Sequence, residues 1–217
     1  MVNGDNITKE EFLTHIAEET TRMAAPGHFY GHVLKNKGTK DKVTSFFVKK
    51  FPIKDLWEGT VKPKDYQNWH KRQINGLSRV IDGHIKQLPK KSPKKPPRTS
   101  FSIAAKLMDT FMHQLMKYER FRYLYKSLYL PLDREALSQL SRKTIHGVEV
   151  PEKLHQIASE YKSNPYSISA KKYIKIQEKL SVLLKHFNKD LPKDCRLKAR
   201  IELNCILWPQ NKKRKRR

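Results

Sequence analysis

The sequence has few acidic residues, few cysteines and few glycines, and each shortage excludes a class of function. Its 217 residues include 21 Asp and Glu, 2 Cys and 8 Gly. A metal-dependent nuclease needs two or three converging carboxylates, and no tight acidic cluster occurs in this chain. The glycines are scattered and form neither GxGxxG nor GxxxxGK, which excludes a glycine loop that cradles phosphates.

Cysteine usage and the lack of long apolar runs restrict the cellular setting. Cys195 and Cys205 are ten residues apart, without Cys or His neighbours at metal-ligand spacing. We interpret both as reduced, buried thiols and expect no metal site. No run approaches the length of a membrane-spanning helix, and the first residues lack the pattern of a signal peptide. We therefore expect a cytoplasmic, nucleoid-associated monomer that does not contact a membrane.

Positive charge, by contrast, is abundant and unevenly distributed. There are 46 Lys and Arg, which give a formal net charge of +25 at pH 7. The excess is concentrated between Lys86 and Arg98, among prolines, and in residues 212–217. A surface with this much like charge attracts polyanions, and neutralised phosphates release counterions. We predict a nucleic acid as the partner and rank an anionic membrane surface below it, because no basic amphipathic helix supports a membrane.

The spacing of apolar residues predicts an all-α protein. Alternating strand patterns are nearly absent, whereas apolar residues recur at helical spacing. The predicted helices cover residues 8–23, 41–50, 64–87, 101–120, 134–141, 151–161 and 170–187, with a single turn at 55–58. Residues 123–130 are predicted to be extended, and 197–208 to be a helix or a buried strand. Asp133 is the natural N-cap of the helix that begins at Arg134.

We expect one domain over residues 1–211, followed by a basic tail at 212–217. Pro89, Pro93, Pro96 and Pro97 exclude a helix between residues 88 and 98. This basic segment is either a linker or an ordered loop, and it can join two lobes, 1–88 and 99–211.

Lys106 and Asp133 form the one constellation that suggests a reaction. Lys106 shares a helix face, opposite the apolar stripe, with Asp109, Thr110, His113 and Lys117. Asp133 begins the next helix after a chain reversal, so the two side chains can face each other across a cleft. The pair suits cleavage of an N-glycosidic bond in DNA. The carboxylate stabilises the developing oxocarbenium charge, and a desolvated lysine attacks C1′ and forms a Schiff base. The target base must first leave the stack.

Each of these residues also has an ordinary structural interpretation. Asp133 can be an N-cap and nothing more, and Lys106 can be a solvent-exposed lysine paired with Asp109. A solvated pair explains Asp109 and His113 on one face better than a catalytic role does. The candidates for a base pocket are Trp69, His113 and Trp208, although both tryptophans are also typical of a core.

Residues 102–108 and 130–137 carry a resemblance to a known family. Ser-Ile-Ala-Ala-Lys-Leu-Met and Leu-Pro-Leu-Asp-Arg-Glu-Ala-Leu resemble the helix-hairpin-helix DNA glycosylases, most of all the archaeal 8-oxoguanine (AGOG-type) branch. The resemblance covers about residues 90–141 and implies a two-lobed helical bundle, a lesion pocket between the lobes, no cofactor and a Lys–Asp catalytic pair. Asp133 matches the family's aspartate by context. The family's lysine stands nearer the start of its helix than Lys106, so a monofunctional enzyme that uses Asp133 and water is the alternative mechanism.

We therefore predict a DNA glycosylase that excises a damaged or modified base from double-stranded DNA, in base-excision repair or in defence against phage with modified DNA. Lys106 is the candidate nucleophile, and Asp133 is the electrostatic and base residue. The predicted phosphate-binding residues are Lys90, Lys91, Lys94, Lys95, Arg98, Thr99 and Ser100, the last at a helix N-terminus. The alternative is a non-catalytic DNA- or RNA-binding protein in which Lys106 and Asp133 are structural.

Overall fold

The computed structural model describes residues 8–24, 38–85, 100–189 and 191–207. Its α-helices are α1 (Lys9–Ala24), α2 (Thr39–Ser45), α3 (Ile53–Trp57), α4 (Tyr66–Ile85), α5 (Ser100–Leu115), α6 (Arg134–Leu140), α7 (Glu152–Tyr161), α8 (Ala170–Lys189) and α9 (Leu203–Leu207). Shorter helices are a π-helix at Phe46–Lys50 and 3₁₀ helices at Glu119–Ser127, Pro165–Ser167 and Arg200–Glu202. One hairpin joins β1 (Thr144–Ile145) to β2 (Val148–Glu149). The predominance of helices confirms the all-α prediction.

The described residues fall into two compact units, which divide between Tyr125 and Lys126. In the first unit, α5 packs on α1 and α4, and α2 packs on the same two helices. The division therefore does not fall within residues 88–98, because the helix after that basic segment packs with the helices before it. In the second unit, α7 packs on α6 and α8, and α9 packs on α6.

Local capping sets the start of α1. The Thr8 hydroxyl accepts from the Glu11 backbone N–H at 3.2 Å, and a Glu11 carboxylate oxygen accepts from the Thr8 backbone N–H at 2.8 Å. This reciprocal capping box satisfies two N–H groups that a helix start leaves without partners. It confirms the predicted start of the first helix.

An aromatic core lies under the π-helical turn that continues α2. The Phe51 N–H donates to the Phe46 carbonyl at 2.9 Å, which is the i→i+5 bonding of a π-helix. Both residues and Phe47 are buried. The Phe47 ring stacks on Phe111 of α5 at a centroid distance of 4.0 Å, and the Phe51 ring meets Phe111 edge-on at 4.8 Å. The turn thus joins α2 to α5 through aromatic contacts.

The chain after α5 differs from its prediction. The helix ends at Leu115 and not at residue 120, because the N–H groups of Lys117 and Tyr118 donate to carbonyls three residues earlier. The following 3₁₀ helix, Glu119–Ser127, replaces most of the extended segment predicted for 123–130. Phe121 and Leu124 are three residues apart and both buried. A three-residue period places such a pair on one face, which favours this tighter helix.

Two features of the second unit were missed or misjudged from the sequence. The hairpin turn at His146 and Gly147 has φ values of 49° and 80°, as a two-residue turn between short strands requires, and strands of two residues each leave no alternation to detect. The expectation of buried thiols was wrong, since Cys195 and Cys205 are both exposed. Cys205 lies two residues from each of the buried Leu203 and Leu207, and therefore on the opposite face of α9.

Candidate functional site

Helix α5 is buried on nearly all of its faces. Lys106 is 8% exposed, Asp109 2% and Thr110 6%. The alternative interpretation of Lys106 as a solvent-exposed lysine was wrong, because α1 and α4 both pack on α5 and cover its polar side chains as well as its apolar ones. The Thr110 hydroxyl donates to the Lys106 carbonyl at 2.8 Å. A lysine this far from water is rare in folded proteins.

Asp109 pairs with a histidine from the neighbouring helix. His70 Nε2 of α4 lies 3.1 Å from Asp109 Oδ1, and both side chains are fully buried. The two atoms lie within ion-pairing distance, but they do not form a well-aligned hydrogen bond. The predicted solvated pair of Asp109 with His113 was therefore wrong. Sequence analysis did not identify His70 as the partner of Asp109. Its position four residues after Tyr66 and four before Ile74, both buried, places it on the apolar face of α4, which was the available signal.

Asp133 is the N-cap of α6, as predicted. Its backbone is extended, with φ −132° and ψ −175°, and its Oδ1 accepts from the Ala136 backbone N–H at 2.9 Å. Asp133 itself is half-buried. The capping bond fixes one carboxylate oxygen in place at the start of the helix.

A side chain of α8 holds the segment that leads to Asp133 through two hydrogen bonds. The Gln177 side-chain amide donates to the Leu130 carbonyl at 2.8 Å and accepts from the Leu130 N–H at 3.0 Å. Gln177 is completely buried. Sequence analysis did not single it out, although it lies on the otherwise apolar face of α8 with Tyr173 and Leu180. A buried amide with both groups satisfied holds a backbone segment rigidly.

Arg200 provides a second clamp on the same segment. One guanidinium nitrogen donates to the Ser127 carbonyl at 2.7 Å, and the guanidinium carbon lies 4.4 Å from the centre of the Tyr129 ring. Residues 127–130 are therefore held by both α8 and the 3₁₀ helix at Arg200–Glu202. Lys106 belongs to the first unit and Asp133 to the second, and their pairing across a cleft stays a prediction.

The base-pocket candidates have different surroundings. Trp69 is 4% exposed, its ring lies 5.7 Å from Phe51 and 6.1 Å from Tyr66, and its indole N–H donates to Asp55 at 3.4 Å. Trp69 is thus a core residue, because no ring face is open to a base. His113 is half-buried on α5, and burial, helped by the nearby Lys117 charge, lowers its pKa. Trp208 lies outside the described residues.

Most of the predicted phosphate-binding residues also lie outside the described residues. These are Lys90, Lys91, Lys94, Lys95, Arg98 and Thr99, together with the tail 212–217. Ser100 is described as the first residue of α5, and its hydroxyl oxygen lies 2.6 Å from that of Ser78 in α4. This bond ties the start of α5 to α4.

A second basic surface, which sequence analysis did not single out, lies on α8. We call it the α8 lysine face, and its members are Lys171, Lys175, Lys185 and Lys189. All four are exposed, and none forms an ion pair with another described residue. Their spacing places them on one side of the helix, while Tyr173, Ile176, Leu180 and Leu183 are buried on the other. The face is available to an anionic partner.

The described parts of the chain offer neither a metal site nor a membrane span. Among the described side chains, no group of three or more His, Cys, Asp and Glu could hold a metal ion. None of the described helices has the length and apolar character needed to cross a membrane.

No protein-family model matches the sequence, and neither a curated protein nor a solved structure matches it significantly.

Proposed function

We propose that the protein is a DNA N-glycosylase in which Asp133 stabilises positive charge on the sugar and Lys106 is the candidate nucleophile. The observation that carries the proposal is the burial of Lys106, which is 8% exposed on a helix that also buries Asp109. Buried charged groups are weak sources of stability, since well-packed apolar residues of similar volume often stabilise as much or more. They are concentrated at functional sites.

The chemistry needs only the side chains named. When the bond between C1′ and the base nitrogen breaks, its electron pair leaves with the base, which takes a proton from water. The carboxylate of Asp133 stabilises the resulting charge on the sugar. The hydroxide that remains from this water takes a proton from the Lys106 ammonium, and the neutral amine attacks C1′. A proton then moves from the nitrogen of the adduct to the ring oxygen as the C1′–O4′ bond breaks, which leaves a Schiff base. In the alternative mechanism Asp133 takes a proton from a water molecule, and that water attacks C1′.

Charge supports a nucleic acid as the substrate, which we propose to be double-stranded DNA. The net charge is +25, and the α8 lysine face offers four exposed ammonium groups without carboxylate partners among the described residues. At 1.5 Å per residue these lysines extend over about 27 Å of helix. Such a length allows contact with several phosphates, each of which releases counterions when neutralised.

A second candidate is a non-catalytic nucleic-acid-binding protein. The observation that favours it is the capping bond of Asp133, because a bond to the Ala136 N–H is a sufficient reason for an Asp at that position. Here Lys106 and Asp109 are structural parts of the α5 core. The basic surfaces bind the nucleic acid, and no reaction follows.

Asp133→Asn separates the two candidates. Asn caps helices as well as Asp does, so the variant keeps the fold and the DNA affinity but loses the carboxylate. We would incubate both proteins, with chelator, with duplexes that contain plain, oxidised or phage-type modified bases, and reveal abasic sites with hot alkali. We expect the wild type to release one class of base and the variant to be slower by about 100-fold or more. Tight binding without abasic sites on any duplex would contradict the glycosylase and favour the binding protein.

Borohydride trapping tests the nucleophile separately. A Schiff base between lysine and the sugar is reduced to a stable adduct, which we expect for the wild type and not for Lys106→Gln. Lys117→Gln is the matched control, because Lys117 is exposed just after α5. Circular dichroism establishes that both variants are folded. An adduct that persists in folded Lys106→Gln would exclude Lys106, and base release without any adduct would favour Asp133 and water.

A further inference from the structure

Trp57, at the end of α3, exposes a large aromatic surface. Its side chain is 49% exposed, whereas tryptophan is highly buried on average. Among the described residues, its indole N–H has no hydrogen-bond acceptor. The neighbouring carboxylate of Glu58 is already paired with Lys54 at 3.7 Å. The exposed part of the ring and its N–H are therefore open to a ligand within the described part of the chain.

A cation lies over this ring. The guanidinium carbon of Arg120 is 4.0 Å from the Trp57 ring centre. Arg120 is exposed and forms no ion pair within the part of the chain that the structure describes. An arginine stacked on tryptophan keeps its hydrogen-bond donors at the guanidinium edge. The pair thus combines a flat π-surface with a guanidinium group that has no carboxylate partner among the described residues.

The surroundings hold the pair in a fixed position. The buried Phe121 ring lies 5.9 Å from Trp57 in an edge-on contact. Tyr123, 39% exposed, donates its hydroxyl proton to the Leu56 carbonyl at 3.1 Å. These contacts join the 3₁₀ helix that contains Arg120 to the helix that contains Trp57. We call Trp57, Arg120 and Tyr123 the Trp57 platform.

We propose that the Trp57 platform binds single-stranded DNA by stacking an unpaired base on the Trp57–Arg120 pair. Each requirement of such a ligand has a counterpart: an aromatic surface for the base, a guanidinium edge without an ion-pair partner among the described residues for the phosphate, and the net charge of +25 of the whole chain for the backbone. The inference rests on the nucleic-acid-binding part of the proposed function and not on base excision. A second copy of the chain as the occupant of this surface is an outcome of the test.

The test measures binding of unmodified DNA, so it does not depend on base release. The probes are a labelled oligothymidylate of about 12 nucleotides and a duplex of the same length. We expect Trp57→Leu to lower the affinity for the single strand about tenfold, because the variant has no aromatic ring on which a base can stack. The affinity for the duplex should change by less than about twofold, since its bases remain stacked with one another. Trp57→Phe keeps a ring and should retain most of the affinity.

Salt dependence distinguishes stacking from charge. Trp57→Leu removes no charge and should leave the slope of log affinity against log salt unchanged, whereas Arg120→Gln should make it shallower by about 0.7 on a single strand. Arg72→Gln is the matched control, because Arg72 is exposed on α4. Wild-type single-strand binding by folded Trp57→Leu, or an equal loss with the duplex, would overturn the proposal. A wild-type dimer that Trp57→Leu converts to a monomer, with DNA binding intact, would assign the surface to a second copy.

Discussion

Helices α5 and α8 both carry lysines, but they place their polar side chains in opposite surroundings. Helix α5 lies between α1 and α4, and its Lys106 and Asp109 are buried with its apolar residues. Helix α8 buries one face only, where Gln177 is the polar exception, and exposes the α8 lysine face on the other. The same residue type is therefore part of a core in one helix and part of a surface in the other.

This difference predicts which property a substitution in each helix changes, the free energy of unfolding or the binding of a partner. A buried charge is tolerable only with a partner at fixed distance, so changes in α5 should alter the free energy of unfolding. An exposed lysine is solvated in both the folded and the unfolded chain, so changes on α8 should leave stability nearly unchanged and alter the binding of polyanions. Three variants test this division, in decreasing order of expected effect.

Asp109→Asn should have the largest effect. The side chain keeps its shape but loses the charge that faces His70 Nε2 at 3.1 Å in a fully buried contact. Breaking a buried pair leaves one polar group without compensation, and we expect the free energy of unfolding to fall by about 3 kcal/mol. Urea unfolding followed by circular dichroism measures it.

Asp41→Asn is the control for Asp109→Asn, because Asp41 is exposed in the first turn of α2. It should cost about 0.5 kcal/mol or less. His70→Gln, alone and combined with Asp109→Asn, completes a double-mutant cycle, in which we expect a coupling energy of about 1 kcal/mol or more. Additive effects of the two substitutions would contradict a direct interaction and assign the burial of Asp109 to other neighbours.

Helix boundaries set by local contacts could be predicted from the sequence. The start of α1 depends on Thr8 and Glu11, and the start of α6 on Asp133, which are residues within one turn of the helix they cap. The end of α5 and the 3₁₀ helix after it could not be predicted in this way. Apolar residues continue past Leu115, and burial of Phe121 and Leu124 decides the helix type there.

The surroundings of the candidate site depend on contacts between distant residues. The spacing within α5 identified Lys106 and Asp109 as neighbours on one face, but only the packing of α1 and α4 determines that this face is buried. Gln177 donates a hydrogen bond to the carbonyl of Leu130, which lies 47 residues earlier in the chain. No sequence pattern predicts a contact between two residues so far apart. The resemblance to glycosylases likewise selects Lys106 and Asp133 and does not describe what surrounds them.

Replacement of the α8 lysine face by glutamine tests the other half of the comparison. Removing Lys171, Lys175, Lys185 and Lys189 together should leave the free energy of unfolding within about 0.5 kcal/mol of the wild-type value. The slope of log affinity against log salt for a duplex should become shallower by about 0.9 for each phosphate that the protein no longer neutralises, up to about 3.6 for all four lysines. Fluorescence anisotropy between roughly 50 and 200 mM salt measures the slope.

A matched variant removes the same charge from the first unit. Lys40, Lys42, Lys49 and Lys50 are all exposed, and their replacement by glutamine lowers the net charge by the same amount as the α8 variant does. A smaller change in slope than for α8 would locate the DNA contact on the α8 lysine face. Equal changes would mean that the DNA responds to the total charge, and the distinction between the two surfaces would then fail.

His113 should give the smallest effect, as a pH dependence of stability. Burial and the Lys117 charge hold its pKa below the usual value of 6.5, so the unfolded chain binds the proton more readily than the folded one. The free energy of unfolding should therefore fall as the pH drops through about 6.5 towards the folded-state pKa. Above about pH 6.5 the imidazole is neutral in both the folded and the unfolded chain, and its contribution should be absent. Urea unfolding at about pH 5.5 and 7.5 should show that His113→Gln reduces this loss.

His15→Gln is the control, because it removes a histidine that is exposed on α1. The small effect of His113→Gln is informative because it bears on the comparison between α5 and α8. His113 is half-buried on α5, and burial disfavours the charged form of its imidazole, which lowers the pKa. If His113→Gln and His15→Gln behaved alike, the end of α5 near Lys117 would be as accessible to water as the α8 lysine face. The buried environment would then be limited to the part of α5 around Lys106 and Asp109.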